Sequence, residues 1–152
     1  MSESAQILRD AVAAVNLHAD AISDPRELLL SLGFDLRQPE SAAWWHRHYP
    51  RDLARGQNPV PSVAWLDGFL VALCASGQLP APLDWAAVHR AAVERAADLV
   101  ELLVCTDVLP DHTCRQIRDE GVRTASDHWL AGFREGVGRR QELTRRRWTG
   151  RH

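Results

Sequence analysis

Ser62-Val63-Ala64-Trp65-Leu66-Asp67-Gly68-Phe69-Leu70-Val71-Ala72-Leu73 decides the fold class. Trp65, Leu66, Phe69, Leu70 and Leu73 fall at i, i+1, i+4, i+5 and i+8, one stripe of a 3.6-residue repeat. Ser62 is the expected N-cap and Gly77 the expected stop. Working outward, the same punctuation recurs and no sustained period-2 alternation appears. Upstream, residues 4–21 read as a helix with Ile7, Leu8, Ala11, Val12 and Val15 on one face. Asp24-Pro25-Arg26-Glu27 is a capping box with proline at the first helical position, followed by the apolar run 28–32 and Gly33. A further helix is expected over 40–48, ending before Pro50, with a short turn over 51–55 and a loop over 56–61.

Downstream, Leu79-Pro80-Ala81-Pro82 is an extended connector. Asp84 is positioned to cap a helix over about 85–106, whose apolar series runs Trp85, Val88, Ala92, Leu99 and Leu103. After Pro110, with Asp111 as a cap, Cys114, Ile117, Ala125, Trp129, Phe133 and Val137 continue a helical stripe. Gly121 or residues 124–127 are candidate breaks in it, with Ser126 able to cap a separate final helix. From about Gly138 the pattern becomes Arg-rich and the helix is expected to fray. The expectation is an all-α, compact single-domain bundle of six or seven helices over 1–138, with an Arg-rich, flexible tail over 139–152.

The chain has 152 residues and a net charge of −2, enough length to bury a core without disulfide or metal. All 18 basic residues are Arg, which suggests the codon usage of a GC-rich bacterial genome. Seven of them (Arg134, Arg139, Arg140, Arg145, Arg146, Arg147, Arg151) follow Phe133, against two acids, Glu135 and Glu142. An acidic body therefore carries a basic end. No stretch approaches the about 18 apolar residues of a membrane span, and residues 1–10 lack the apolar core of a signal peptide. Three cysteines, Cys74, Cys105 and Cys114, without CxxC spacing, fit the reducing cytoplasm.

Trp65-Leu66-Asp67-Gly68-Phe69 is echoed by Trp129-Leu130-Ala131-Gly132-Phe133. A glycine inside a helix costs about 1 kcal/mol against alanine. Two of them beside large aromatics point to core positions where another helix backbone approaches. The first segment, with Leu70 to Leu73 and the following Pro82-Leu83-Asp84-Trp85, resembles the bacterial YecA/YgfB family: a G-[YF]-L-x-A-L helix, a proline-bearing loop and a Trp opening the next helix. Ala125 to Phe133, with Gly136, is similar to that family's second signature. The resemblance covers about 62–86 and 122–138. It implies an all-α bundle, a cytoplasmic location, homodimerisation and no established catalytic role. Longer members carry a C-terminal Cys/His zinc module, and no Cys follows Cys114 here.

Sites of chemistry are few. His46 and His48, at i and i+2, point about 200° apart on a helix and cannot share one metal there; in an extended segment they could, and surface or partly packed histidines are the favoured reading. Asp111, His112, Cys114 and His128 lack zinc spacing, though a metal- or thiol-dependent enzyme around His112 and Cys114 stays an alternative. Asp67 reads as an acid in early helical turns, favoured by the dipole. No GxSxG, P-loop or dinucleotide fingerprint occurs. No catalytic residue, metal or cofactor is therefore expected. The leading expectation is a non-enzymatic protein-interaction or regulatory module of the bacterial cytoplasm. Its partner is unidentified and would meet Trp44, Trp45 and Tyr49, since adjacent tryptophans cannot both face one core. Trp65, Gly68, Phe69, Trp129, Gly132 and Phe133 would supply the scaffold. The alternative is nucleic-acid binding through Arg139, Arg140, Arg145, Arg146 and Arg147, with Trp148 as a stacking group.

Overall fold

An apolar stripe buries one helix face. A helix apolar all round must be surrounded, and the central helix of this bundle is of that second kind. A computed structural model describes residues 3–17, 30, 37–39, 43, 47, 60–75, 77–105 and 109–149, without the side chains of Ser62 and 140–149. Among the described residues four helices emerge: α1 (Glu3–Asn16), α2 (Val60–Ala75), α3 (Trp85–Val104) and α4 (Asp111–Thr149). No strand occurs among the described residues. The helices expected over 25–32 and 40–48 lie almost wholly outside them, so the described residues do not decide the count of six or seven. Among the described residues, no helix is long and apolar enough to cross a membrane.

In α2 every residue from Ala64 to Leu73 is buried. It packs most extensively against α4, and also meets α1 and α3. α1 turns Ser4, Leu8, Ala11 and Val15 inward, a spacing that keeps one face on the core. α2 starts at Val60, two residues before the expected cap. Pro61 tolerates this because the first helical turn has no acceptor for its missing N–H.

α3 begins where the sequence indicates. Asp84 Oδ1 accepts the Ala87 amide at 3.2 Å, satisfying one of the orphan donors of the first turn. At the start of α4 the Thr113 and Cys114 amides donate to the Pro110 carbonyl, so Asp111 lies just inside the helix and not at its cap. The expected break in this region falls at Gly121, with φ 66° and ψ −171°, backbone space that is essentially glycine's alone. Thr124 Oγ1 donates back across the break to the Glu120 carbonyl at 3.0 Å. Ser126 caps nothing; its hydroxyl donates to the Arg123 carbonyl inside the helix. Beyond Gly138, where fraying was expected, helical backbone continues to Thr149.

The α2–α4 contact is made by the two W-L-x-G-F segments, and it is reciprocal. A Cβ on Gly68 would fall on the Trp129 carbonyl oxygen, and one on Gly132 would fall on that of Trp65. One turn further, a Cβ on Gly136 would lie 2.7 Å from the Phe69 carbonyl oxygen and 2.6 Å from Ala72 Cβ. Each motif's Trp carbonyl thus rests on the other motif's glycine. Backbones this close bring Cα–H groups against carbonyl oxygens. The aromatics then lie in matched stacks, Trp65 on Phe69 at 5.3 Å and Trp129 on Phe133 at 5.2 Å between ring centroids.

These contacts separate the glycines by experiment. In urea unfolding, Gly68→Ala and Gly132→Ala should each lose roughly 2–4 kcal/mol, because the obstacle is backbone and cannot rotate away. Gly138→Ala, with open space around it, should be neutral or gain up to about 1 kcal/mol of helix propensity. Gly121→Ala should lose about 1–3 kcal/mol, although nothing stands nearby, from backbone strain alone. Equal effects at Gly68 and Gly138 would contradict the crossing geometry.

Candidate functional site

Asp67 is the one acid inside the ten-residue buried run of α2, and it is 0% exposed. A buried carboxylate is tolerated only when paired and hydrogen-bonded. Its Oδ1 accepts from Arg95 Nη2 at 2.9 Å, and its Oδ2 accepts from Arg95 Nε at 2.8 Å and from the Trp129 indole Nε1 at 2.9 Å. One carboxylate from α2 therefore binds α3 by a two-pronged guanidinium contact and α4 by an indole N–H. Burial by itself would lower the Arg95 pKa. The hydrogen bond and charge of Asp67, helped by Asp98, outweigh it and hold the group above its ordinary value. A raised base contributes stability below its unfolded pKa and loses it only as pH rises through the folded value. Arg95 therefore stays charged across the ordinary working range.

In sequence Asp67 reads as an acid favoured by the helix dipole, and Arg95 is not among the expected site residues. α2 begins early enough that Asp67 lies beyond its first two turns, so the dipole does little for it. The signal was present in register: Val88, Ala92, Arg95 and Leu99 share one inward face of α3. An arginine on that face, with an acid inside an apolar run, is what a buried pair looks like in sequence.

Beside this cluster, Trp85 is 38% exposed. It meets Phe133 edge-on at 6.4 Å and lies beneath the Arg134 guanidinium, 5.3 Å from its ring centroid, a cation–π arrangement. Of the expected site residues, Trp65, Gly68, Phe69, Trp129, Gly132 and Phe133 come together in the α2–α4 crossing. Trp44, Trp45, Tyr49, His46 and His48 lie outside the described residues. Arg140, Arg145, Arg146 and Arg147 are on the helical backbone of α4, and their side chains are outside the description. Arg139 departs from expectation: it is 2% exposed and belongs to the packed bundle, so it does not stand free for phosphate.

His112 is exposed, while Cys114 is half-buried with its Sγ 3.8 Å from the Val104 carbonyl oxygen. Among the described residues no three His, Cys, Asp or Glu side chains are grouped to hold a metal ion. No family model, curated protein or solved structure matches the chain.

The Asp67 cluster can be tested by a double-mutant cycle. Arg95→Leu and Asp67→Leu should each destabilise by about 3–5 kcal/mol in urea unfolding, since each leaves a buried charge unpaired. The double variant should cost clearly less than the two losses added, because the second substitution removes the orphan left by the first. Strict additivity would mean the two side chains do not share an interaction.

Proposed function

We propose that this chain is a non-enzymatic protein-interaction or regulatory module of the bacterial cytoplasm, related to the YecA/YgfB family and able to form homodimers. The observation that carries this reading is the use made of Asp67. Within the segments that resemble the family, the acid is wholly buried and accepts three hydrogen bonds from Arg95 and Trp129. Trp129 is 0% exposed. These polar groups hold helices together and are withdrawn from any substrate. The same segments meet each other in the glycine crossing, which suits a scaffold. The partner surface belongs to Trp44, Trp45 and Tyr49, residue types that anchor protein interfaces when exposed.

A second reading, nucleic-acid binding, draws on the continuous helical backbone that carries Arg140, Arg145, Arg146 and Arg147. Ending the chain after Arg139 should abolish such binding, and the intact chain should show a steep loss with salt.

The experiment is affinity capture from bacterial cytosol, with and without nuclease, using the native chain and Trp45→Ala. A discrete protein partner should survive nuclease and be lost with Trp45→Ala, while the far-UV melt of the variant stays within a few degrees of native. Recovery of nuclease-sensitive material alone would favour the arginine-rich helix. Unfolding of Trp45→Ala would make Trp45 a core residue and remove it from the interface.

A further inference from the structure

Arg95 has a second role available to it. Besides pairing with Asp67, its side chain lines a groove of about 160 Å³ between α1 and α3, which Asp67 does not line. The groove exists because the facing helices carry short side chains there: Ala5 on α1, Ala87 and Ala91 on α3. Leu8 and Val12 complete an apolar floor. Around it stand charges of both signs, with Arg90 and Arg9 beside Glu94 and Asp98.

Two features make this a built site. The Arg95 side chain is 8% exposed, and its guanidinium is held in plane by two bonds to one carboxylate. Those bonds spend two of its five N–H groups. A donor already locked in place loses little freedom when a ligand arrives. The second feature is the pairing of charges. A simple anion would meet Glu94 and Asp98, and a simple cation would meet Arg90 and Arg95. A bare hydrocarbon would leave both signs unused. A compact zwitterion with an apolar body answers the floor and both sets of charges together. The volume suits a body the size of one ring or branched chain, since a cavity of about 150 Å³ accepts benzene.

We infer that the groove between α1 and α3 binds a free α-amino acid with an apolar side chain. Its carboxylate lies toward Arg95 and Arg90, its ammonium toward Glu94 and Asp98, and its side chain on Leu8, Val12 and Ala91. This site is independent of any protein partner.

The test is calorimetric titration of the intact chain with L-leucine and L-phenylalanine, beside phenylacetate and 2-phenylethylamine. One of the two amino acids should bind saturably at millimolar concentration. The analogues lacking either charge should bind roughly tenfold more weakly, the loss of one charged hydrogen bond. Ala91→Leu fills the groove and should abolish binding, whereas Ala131→Leu, on the exposed face of α4, should leave it intact. Arg90→Gln, at an exposed position, should weaken binding severalfold with an unchanged far-UV spectrum, and it decides the matter if Ala91→Leu does not fold. Absence of saturable binding by both amino acids would overturn the inference. So would native affinity in folded Ala91→Leu or Arg90→Gln, or single-charge analogues that bind as tightly as phenylalanine.

Discussion

Everything else in this bundle depends on how closely the backbones of α2 and α4 approach. Side chains normally hold helix axes 8–10 Å apart. Here Gly68, Gly132 and Gly136 remove them at the crossing, and the peptide groups of each helix meet the other directly. Each glycine forfeits about 1 kcal/mol of helix propensity. The return is burial of Trp65, Phe69, Trp129 and Phe133, all at most 4% exposed. Fully burying a large apolar side chain contributes roughly 1.5–3 kcal/mol, so the aromatics outweigh the glycines. The crossing is also close to self-complementary, which is why one local pattern appears twice in the chain.

The same approach delivers the Trp129 indole to Asp67, and the polar cluster is a product of the crossing. Hydrophobic contact tolerates sliding, but a carboxylate that must accept from a guanidinium and an indole together does not. The cluster therefore sets the register of three helices. It adds little net stability over an apolar trio of similar shape, because desolvation offsets much of the Coulombic gain. Its contribution here is to select one arrangement among several that would bury similar area.

Helix type was legible from period and punctuation alone: Asp84 caps α3 as its position indicates, and of the two candidate breaks, Gly121 and residues 124–127, the structure takes the glycine. Boundaries at proline were less legible. Pro61 reads as loop in sequence, yet it can equally sit in a first helical turn, and only the surroundings of Val60 decide. The mid-helix glycines announced a close neighbour without saying which one. The repeated motif held the answer, but reciprocal contact is a three-dimensional fact that periodicity does not encode. Asp67 was read within its own helix, as an acid favoured by the dipole, and Arg95 was not singled out, so their pairing was missed. Charges on apolar faces acquire meaning only as a pair, and the two lie 28 residues apart. Arg139 was grouped by composition with its neighbours in sequence, whereas its burial follows from the face of α4 it occupies.

The all-round burial of α2 has a consequence for how the chain reaches this state. A helix without a polar face gains nothing from forming alone in water, and most helical stability comes from tertiary packing. Its main cover is the distal part of α4, with Asp67 and Trp129 separated by 62 residues. The entropy of closing so long a loop must be met before the core rewards it. Early and late segments therefore have to consolidate together, so the expected behaviour is one cooperative transition. On a ribosome, α2 would emerge well before the helix that shields it, and its apolar surface would be open to chaperones throughout that interval.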